Sequence, residues 1–128
     1  SGGELSRIGL AIHVITSKLG AAPTLIFDEV DVGIGGRVAE IVGEMLKKLS
    51  GQRQILCITH LAQVASAADN QWLITKTAGS SGDGAISSRI TALNKEERIE
   101  EIARMLGGVK ITETTRRHAA EMLFASQK

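Results

Sequence analysis

Thr24-Leu25-Ile26-Phe27-Asp28-Glu29-Val30-Asp31 is a short apolar run that delivers consecutive carboxylates at its end. Apolar side chains on both faces of Thr24 to Asp28 predict a strand covered on both sides, as in a parallel sheet. Gly33-Ile34-Gly35-Gly36 then breaks the regular structure. From there Val38, Ile41, Val42, Met45, Leu46 and Leu49 recur at helical spacing, with Arg37, Glu40, Glu44, Lys47 and Lys48 on the outer face. Ser50-Gly51 ends that helix, and Ile55 to Thr59 predicts a second buried strand. Strand, helix, strand in this order reads as a right-handed parallel crossover, so both strands finish at one sheet edge. Open α/β sheets bind ligands at that edge, and the polar residues delivered to it are Asp28, Glu29 and His60.

Upstream of this unit, Leu5, Ile8, Ile12, Ile15 and Leu19 mark one face of a helix, and Leu10, Ala11 and Val14 make its other face apolar too. Ser1 and Glu4 have capping-box spacing at its start, and Gly20 stops it. Downstream, Trp72 to Lys76 and Ser87 to Leu93 predict a hairpin around a Gly/Ser-rich loop at 78–84. Asn94 and Glu97 open a further helix with the apolar stripe Ile99, Ile102, Ala103 and Leu106, ended by Gly107-Gly108. A last helix runs from Thr112 to Ser126. The expectation is one α/β domain over residues 1–128, a parallel sheet with a β-hairpin and C-terminal helices.

Composition bounds what such a domain does. With 15 Lys and Arg against 14 Asp and Glu, the net charge of +1 in 128 residues excludes a whole-surface basic field of the kind that drives non-specific nucleic-acid binding. The single cysteine, Cys57, forms no intrachain disulfide, which fits a reducing, cytoplasmic setting. No apolar run approaches the ~18 residues of a membrane span. The opening Ser1-Gly2-Gly3-Glu4 without a methionine reads as a boundary within a longer sequence.

Three patterns can carry chemistry. Ser1-Gly2-Gly3-Glu4 at a helix start offers unpaired N–H groups and the positive dipole end to an anion, or serves only as a cap. Asp28 and Glu29 point to opposite sides of a strand tip, so one can hold the water shell of Mg²⁺ while the other polarises an attacking water; a solvated acidic strand end reads the same way. His60, after the second strand, reaches the same edge if the strands are neighbours, where its imidazole can meet a γ-phosphate. His13, His118 and Cys57 read as structural or surface residues.

Taken in order, these stretches resemble the signature, Walker B and switch-histidine motifs of ABC-type P-loop ATPases. Asp28-Glu29-Val30-Asp31 is similar to the acid motif of chromosome-maintenance (SMC) heads rather than that of transporters. Ser1-Gly2-Gly3-Glu4-Leu5-Ser6-Arg7, Asp28 through Gly36, Thr59-His60-Leu61-Ala62-Gln63-Val64-Ala65 and Glu101 through Gly108 resemble the RecN family of bacterial double-strand-break repair ATPases.

That resemblance implies the C-terminal half of an ABC/SMC-type head, using ATP and Mg²⁺. Asp28 would bind the metal through water, Glu29 would act as general base, and His60 would sense the γ-phosphate. Ser1, Gly2, Gly3 and Glu4 would meet the nucleotide of a second copy of the head in a homodimer. It further implies DNA as a partner of the intact protein, and no membrane. Gly35 stands where SMC heads carry an aspartate, so Asp31 is the substitute for contacts across the dimer. Ala62 stands where the family pattern has proline. No Gly-x-x-x-x-Gly-Lys-Ser/Thr phosphate loop occurs, so the resemblance places the Walker A half upstream and implies that these residues alone do not hydrolyse ATP. Such a piece is expected to expose a sheet edge and apolar helix faces.

Overall fold

A computed structural model describes residues 9, 11, 12, 20, 22–79 and 84–127. Gly9, Ala11 and Ile12 are helical, as the first periodic stretch predicts. The rest of that helix, His13, the Ser1/Glu4 capping box, the loop positions 80–83 and the candidate residues Ser1, Gly2, Gly3 and Glu4 lie outside the described residues.

The element order is β1 (Thr24–Asp28), α1 (Gly36–Leu49), β2 (Gln54–Ile58), α2 (Ala62–Ser66), β3 (Trp72–Ala78), β4 (Ile86–Ala92), α3 (Lys95–Gly107) and α4 (Glu113–Ser126). β1 and β2 pair in parallel, from Thr24 opposite Gln54 to Asp28 opposite Ile58. Leu25 and Phe27 point into a core built with Ala39, Val42 and Leu46 of α1 and Val64 of α2, against which Ile55 and Cys57 pack. The opposite face departs from the expected two-sided burial, with Ile26 70% and Ile58 52% exposed. Among the described residues the helical layer covers one side only, so a strand written for two layers shows its second apolar face bare.

α2, which periodicity did not reveal, joins this core to another. Val64 belongs to the first core, whereas Ala62 and Ala65 pack with Ile102 and Ala103 of α3 and Ala119 and Leu123 of α4. Gly43 permits the α1–α2 approach, because a Cβ there would sit 3.0 Å from both the Ala67 Cβ and the Gln63 carbonyl oxygen. α3 opens with the expected capping box: the Asn94 side chain accepts from the Glu97 N–H at 2.8 Å, and Glu97 Oε1 accepts from the Asn94 N–H at 3.1 Å.

β3 and β4 form the antiparallel hairpin, Trp72 opposite Ala92 and Ala78 opposite Ile86, closed by the Gly79 N–H donating to the Ala85 carbonyl at 2.7 Å. Among the described residues no helix is long and apolar enough to cross a membrane.

Candidate functional site

The parallel register settles where the polar residues lie. Asp28 ends β1 directly across from Ile58, the last residue of β2, so Asp28-Glu29 and Thr59-His60 leave the sheet side by side at its C-terminal edge. Asp28 and Glu29 are both exposed there. Glu29 has φ 59°, making it the one non-glycine residue at positive φ among those described. A left-handed backbone costs a side chain with a Cβ about 1–2 kcal/mol. The strand stops there because that geometry turns the chain out of the β conformation.

The turn that follows is closed by Val32 N–H to Glu29 O and Ile34 N–H to Asp31 O, both at 3.4 Å. Gly36, at φ 54°, then launches α1 in a conformation suited to glycine. At Gly35 the backbone is extended and an added Cβ would touch nothing within 4 Å, so local sterics do not enforce glycine where the resembling heads carry an acid.

Asp31, the expected substitute for contacts across a dimer, is engaged within its own chain. It is 2% exposed, and its carboxylate turns inward to the end of β2. Oδ2 accepts from the Thr59 hydroxyl and from the His60 backbone N–H at 2.9 Å, and His60 Nδ1 lies 3.2 Å from the same oxygen. A buried carboxylate is stable when neighbouring donors replace its water, and here two hydrogen bonds and a close imidazole nitrogen converge on one oxygen. The Thr59 hydroxyl also accepts from the Leu61 N–H at 3.0 Å, which fixes the turn entering α2 with alanine at position 62.

Burial alone would raise the pKa of Asp31, but the Thr59 hydroxyl, the His60 N–H and the His60 imidazole together hold it below its ordinary 3.8. A depressed folded-state value contributes stability that is complete above the unfolded value and disappears as pH falls through the folded one. The stability advantage of wild type over Asp31→Asn is therefore expected to hold above about pH 5 and to shrink below pH 3.8. Urea midpoints measured from pH 6 to 2.5 check this; an advantage constant with pH would refute it.

His60 itself presents its ring to solvent, with the side chain 68% exposed. Cys57, beneath the site, is partly buried, and burial together with Asp31 and Asp28 pushes its thiol up to about 11. It stays protonated at neutral pH and is a poor nucleophile. Among the described residues no group of three or more His, Cys, Asp or Glu side chains gathers as a metal cage. The donor set at the edge is instead an exposed strand-end carboxylate at Asp28. Such a set fits Mg²⁺, which takes one or two protein carboxylates and fills its octahedron with water and phosphate oxygens.

Two basic residues away from this edge are engaged within the chain. Lys47 pairs with Asp69, and Arg116 pairs with Glu100 at 2.6 Å and Glu113 at 3.8 Å.

No protein-family model matches the chain. A solved structure from work on ATP-driven dimerization and DNA-stimulated activation of SMC ATPases aligns with a TM-score of 0.61 at 22% identity, over 86% of this chain and 64% of that one. The fold is therefore that of an SMC-type ATPase head, mixed α/β with a parallel strand pair, a hairpin and C-terminal helices. Over nearly its whole length the chain is RecN-like in sequence. It is 51% identical to the DNA repair protein RecN of Haemophilus influenzae over 123 residues, 49% identical to that of Xylella fastidiosa over 128, and 48% identical to that of Bacillus subtilis over 123. The matches take in 96%, 100% and 96% of this chain, which spans only about a fifth of the length of these curated relatives (22%, 22% and 21%).

Proposed function

We propose that this chain is the C-terminal part of an SMC-like ATPase head acting in DNA double-strand-break repair, and that the intact cytoplasmic protein binds and hydrolyses ATP as a dimer. The observation that carries this reading is the meeting of Asp28-Glu29 with His60 at the C-terminal edge of β1 and β2. Asp28 would hold Mg²⁺, which when bound supplies charge neutralisation at the phosphates. Glu29 accepts the proton of the attacking water, and the exposed His60 ring meets the γ-phosphate. Ser1, Gly2, Gly3 and Glu4 contact the nucleotide held by a second copy of the head. An upstream half supplies the phosphate-binding loop, and the intact protein engages DNA.

The bare apolar face at Ile26 and Ile58 supports this reading, because a head assembled from two halves has further structure to lay against it. In the full-length protein carrying this segment, calorimetry is expected to show ATP binding in the presence of Mg²⁺, and sedimentation a shift to dimer on adding ATP. Dimers without any nucleotide binding would replace the enzyme with a dimerisation scaffold that keeps only the architecture.

A further inference from the structure

The buried acid at the end of the turn has no place in the reading above, yet it is the group in closest touch with His60. Asp31 and His60 are 29 residues apart in sequence, and the backbone N–H and the ring Nδ1 of the same histidine both face Asp31 Oδ2. An ionised carboxylate only accepts, so a ring nitrogen held against it is the one that carries the proton. We propose that Asp31 is a positioning residue for His60: it fixes the imidazole with Nδ1–H turned inward and Nε2 facing the C-terminal edge.

Two consequences follow from the hydrogen inventory of the ring. While the ring is neutral, Nε2 has a lone pair and accepts a hydrogen bond from water. Once the ring takes up a second proton, Nε2–H donates to an anionic oxygen, and the Asp31 carboxylate balances the imidazolium from behind. The arrangement resembles the support of metal-bound histidines, in which a carboxylate on the far nitrogen sets tautomer and ring plane. Asp31 also lies within the turn that the Val32 N–H closes on the Glu29 carbonyl, and its own carbonyl accepts from the Ile34 N–H, so one residue ties the acid-bearing loop to the histidine-bearing loop. Its kinetic expression rests on the ATPase reading, but the tautomer does not.

Two measurements on the full-length protein carrying this segment test the proposal separately from that reading. In protein labelled with ¹⁵N-histidine, the His60 ring signals, assigned by their loss in His60→Gln, are expected to show a protonated Nδ1 and a bare Nε2. Asp31→Ala should relax them toward the Nε2–H form; a wild-type ring already in that form overturns the proposal. In steady-state hydrolysis, Asp31→Ala is expected to lower kcat about 10-fold or more while KM for ATP changes less than about 3-fold. In a His60→Ala background the same substitution should cost less than about 2-fold, because nothing remains to be positioned. Losses that multiply fully across the double variant would make Asp31 a structural residue only and overturn the proposal. If His60→Ala hydrolyses ATP at the wild-type rate, the ATPase role of His60 fails, and the ring spectrum alone decides whether Asp31 sets its tautomer.

Discussion

Glu29→Gln in the full-length protein is expected to bind ATP and hold it while hydrolysis falls by about 10²–10⁴-fold, the range for removing a general base. The substitution keeps the size of the side chain and replaces a proton acceptor with an amide, so the fold and the nucleotide contacts are preserved. At 1.36 kcal/mol per tenfold, the loss corresponds to roughly 3–5 kcal/mol of transition-state stabilisation. The unusual backbone at this position offers a control. Because Glu29 sits at φ 59°, Glu29→Gly removes the Cβ cost of the left-handed conformation and should leave the site edge no less stable, while abolishing hydrolysis as fully as the glutamine variant does. Activity and stability then move apart, as expected where strain is kept for the sake of a side chain. Wild-type turnover in Glu29→Gln would remove Glu29 from the role of base.

Arg98→Ala is expected to give the largest loss of stability of any single substitution outside the apolar cores. Arg98 is 7% exposed, and its guanidinium forks over the end of α2. It donates to the carbonyls of Ala68 at 2.9 Å, Asp69 at 3.2 Å and Ala65 at 3.4 Å, and to Gln71 Oε1 at 3.4 Å. The last carbonyls of a helix have no partner within it, and α2 is too short to spare any. Burial lowers the pKa of Arg98, with Asp69 opposing, yet a guanidinium has ample margin to stay charged. Truncation removes all four hydrogen bonds of the guanidinium to the end of α2 and the segment after it, while the Ala65 carbonyl keeps the Ala68 N–H, at a cost of about 3 kcal/mol in sum. Hydrogen exchange of α2 and α3 amides in the full-length protein should accelerate by roughly 10²-fold. Arg98→Lys should recover only part of the protection, since one ammonium cannot span the carbonyls a planar fork reaches. Unchanged protection in Arg98→Ala would show that α2 is held by its apolar contacts alone.

Much of this architecture was legible in the sequence because it is written locally. The Asn94/Glu97 capping box, the heptad-like stripe of α1 and the hairpin around residues 78–84 each depend on neighbours within a few positions, and the structure places them as the pattern does. The shared edge of β1 and β2 followed from crossover topology, a general rule rather than a property of these residues.

What was not legible depends on distant partners. α2 has five residues and no side-chain cap at Leu61, so it shows neither periodicity nor a start signal. Arg98 looks like one more polar residue on α3, and only the carbonyls it meets distinguish it. The resemblance assigns Asp31 only to contacts across a dimer and says nothing of its burial. Its burial arises from a threonine and a histidine on the next strand, which no spacing along the chain encodes.

The double allegiance of α2 has a mechanical consequence. Its five residues begin two positions after His60, and they are gripped by the β1–β2–α1 layer on one side and by the α3–α4 pair on the other. A close-packed interior transmits displacement instead of absorbing it. A tilt of the paired C-terminal helices against the pleated layer is therefore handed to the short segment that follows His60, whose near end the Thr59 hydroxyl pins through the Leu61 N–H.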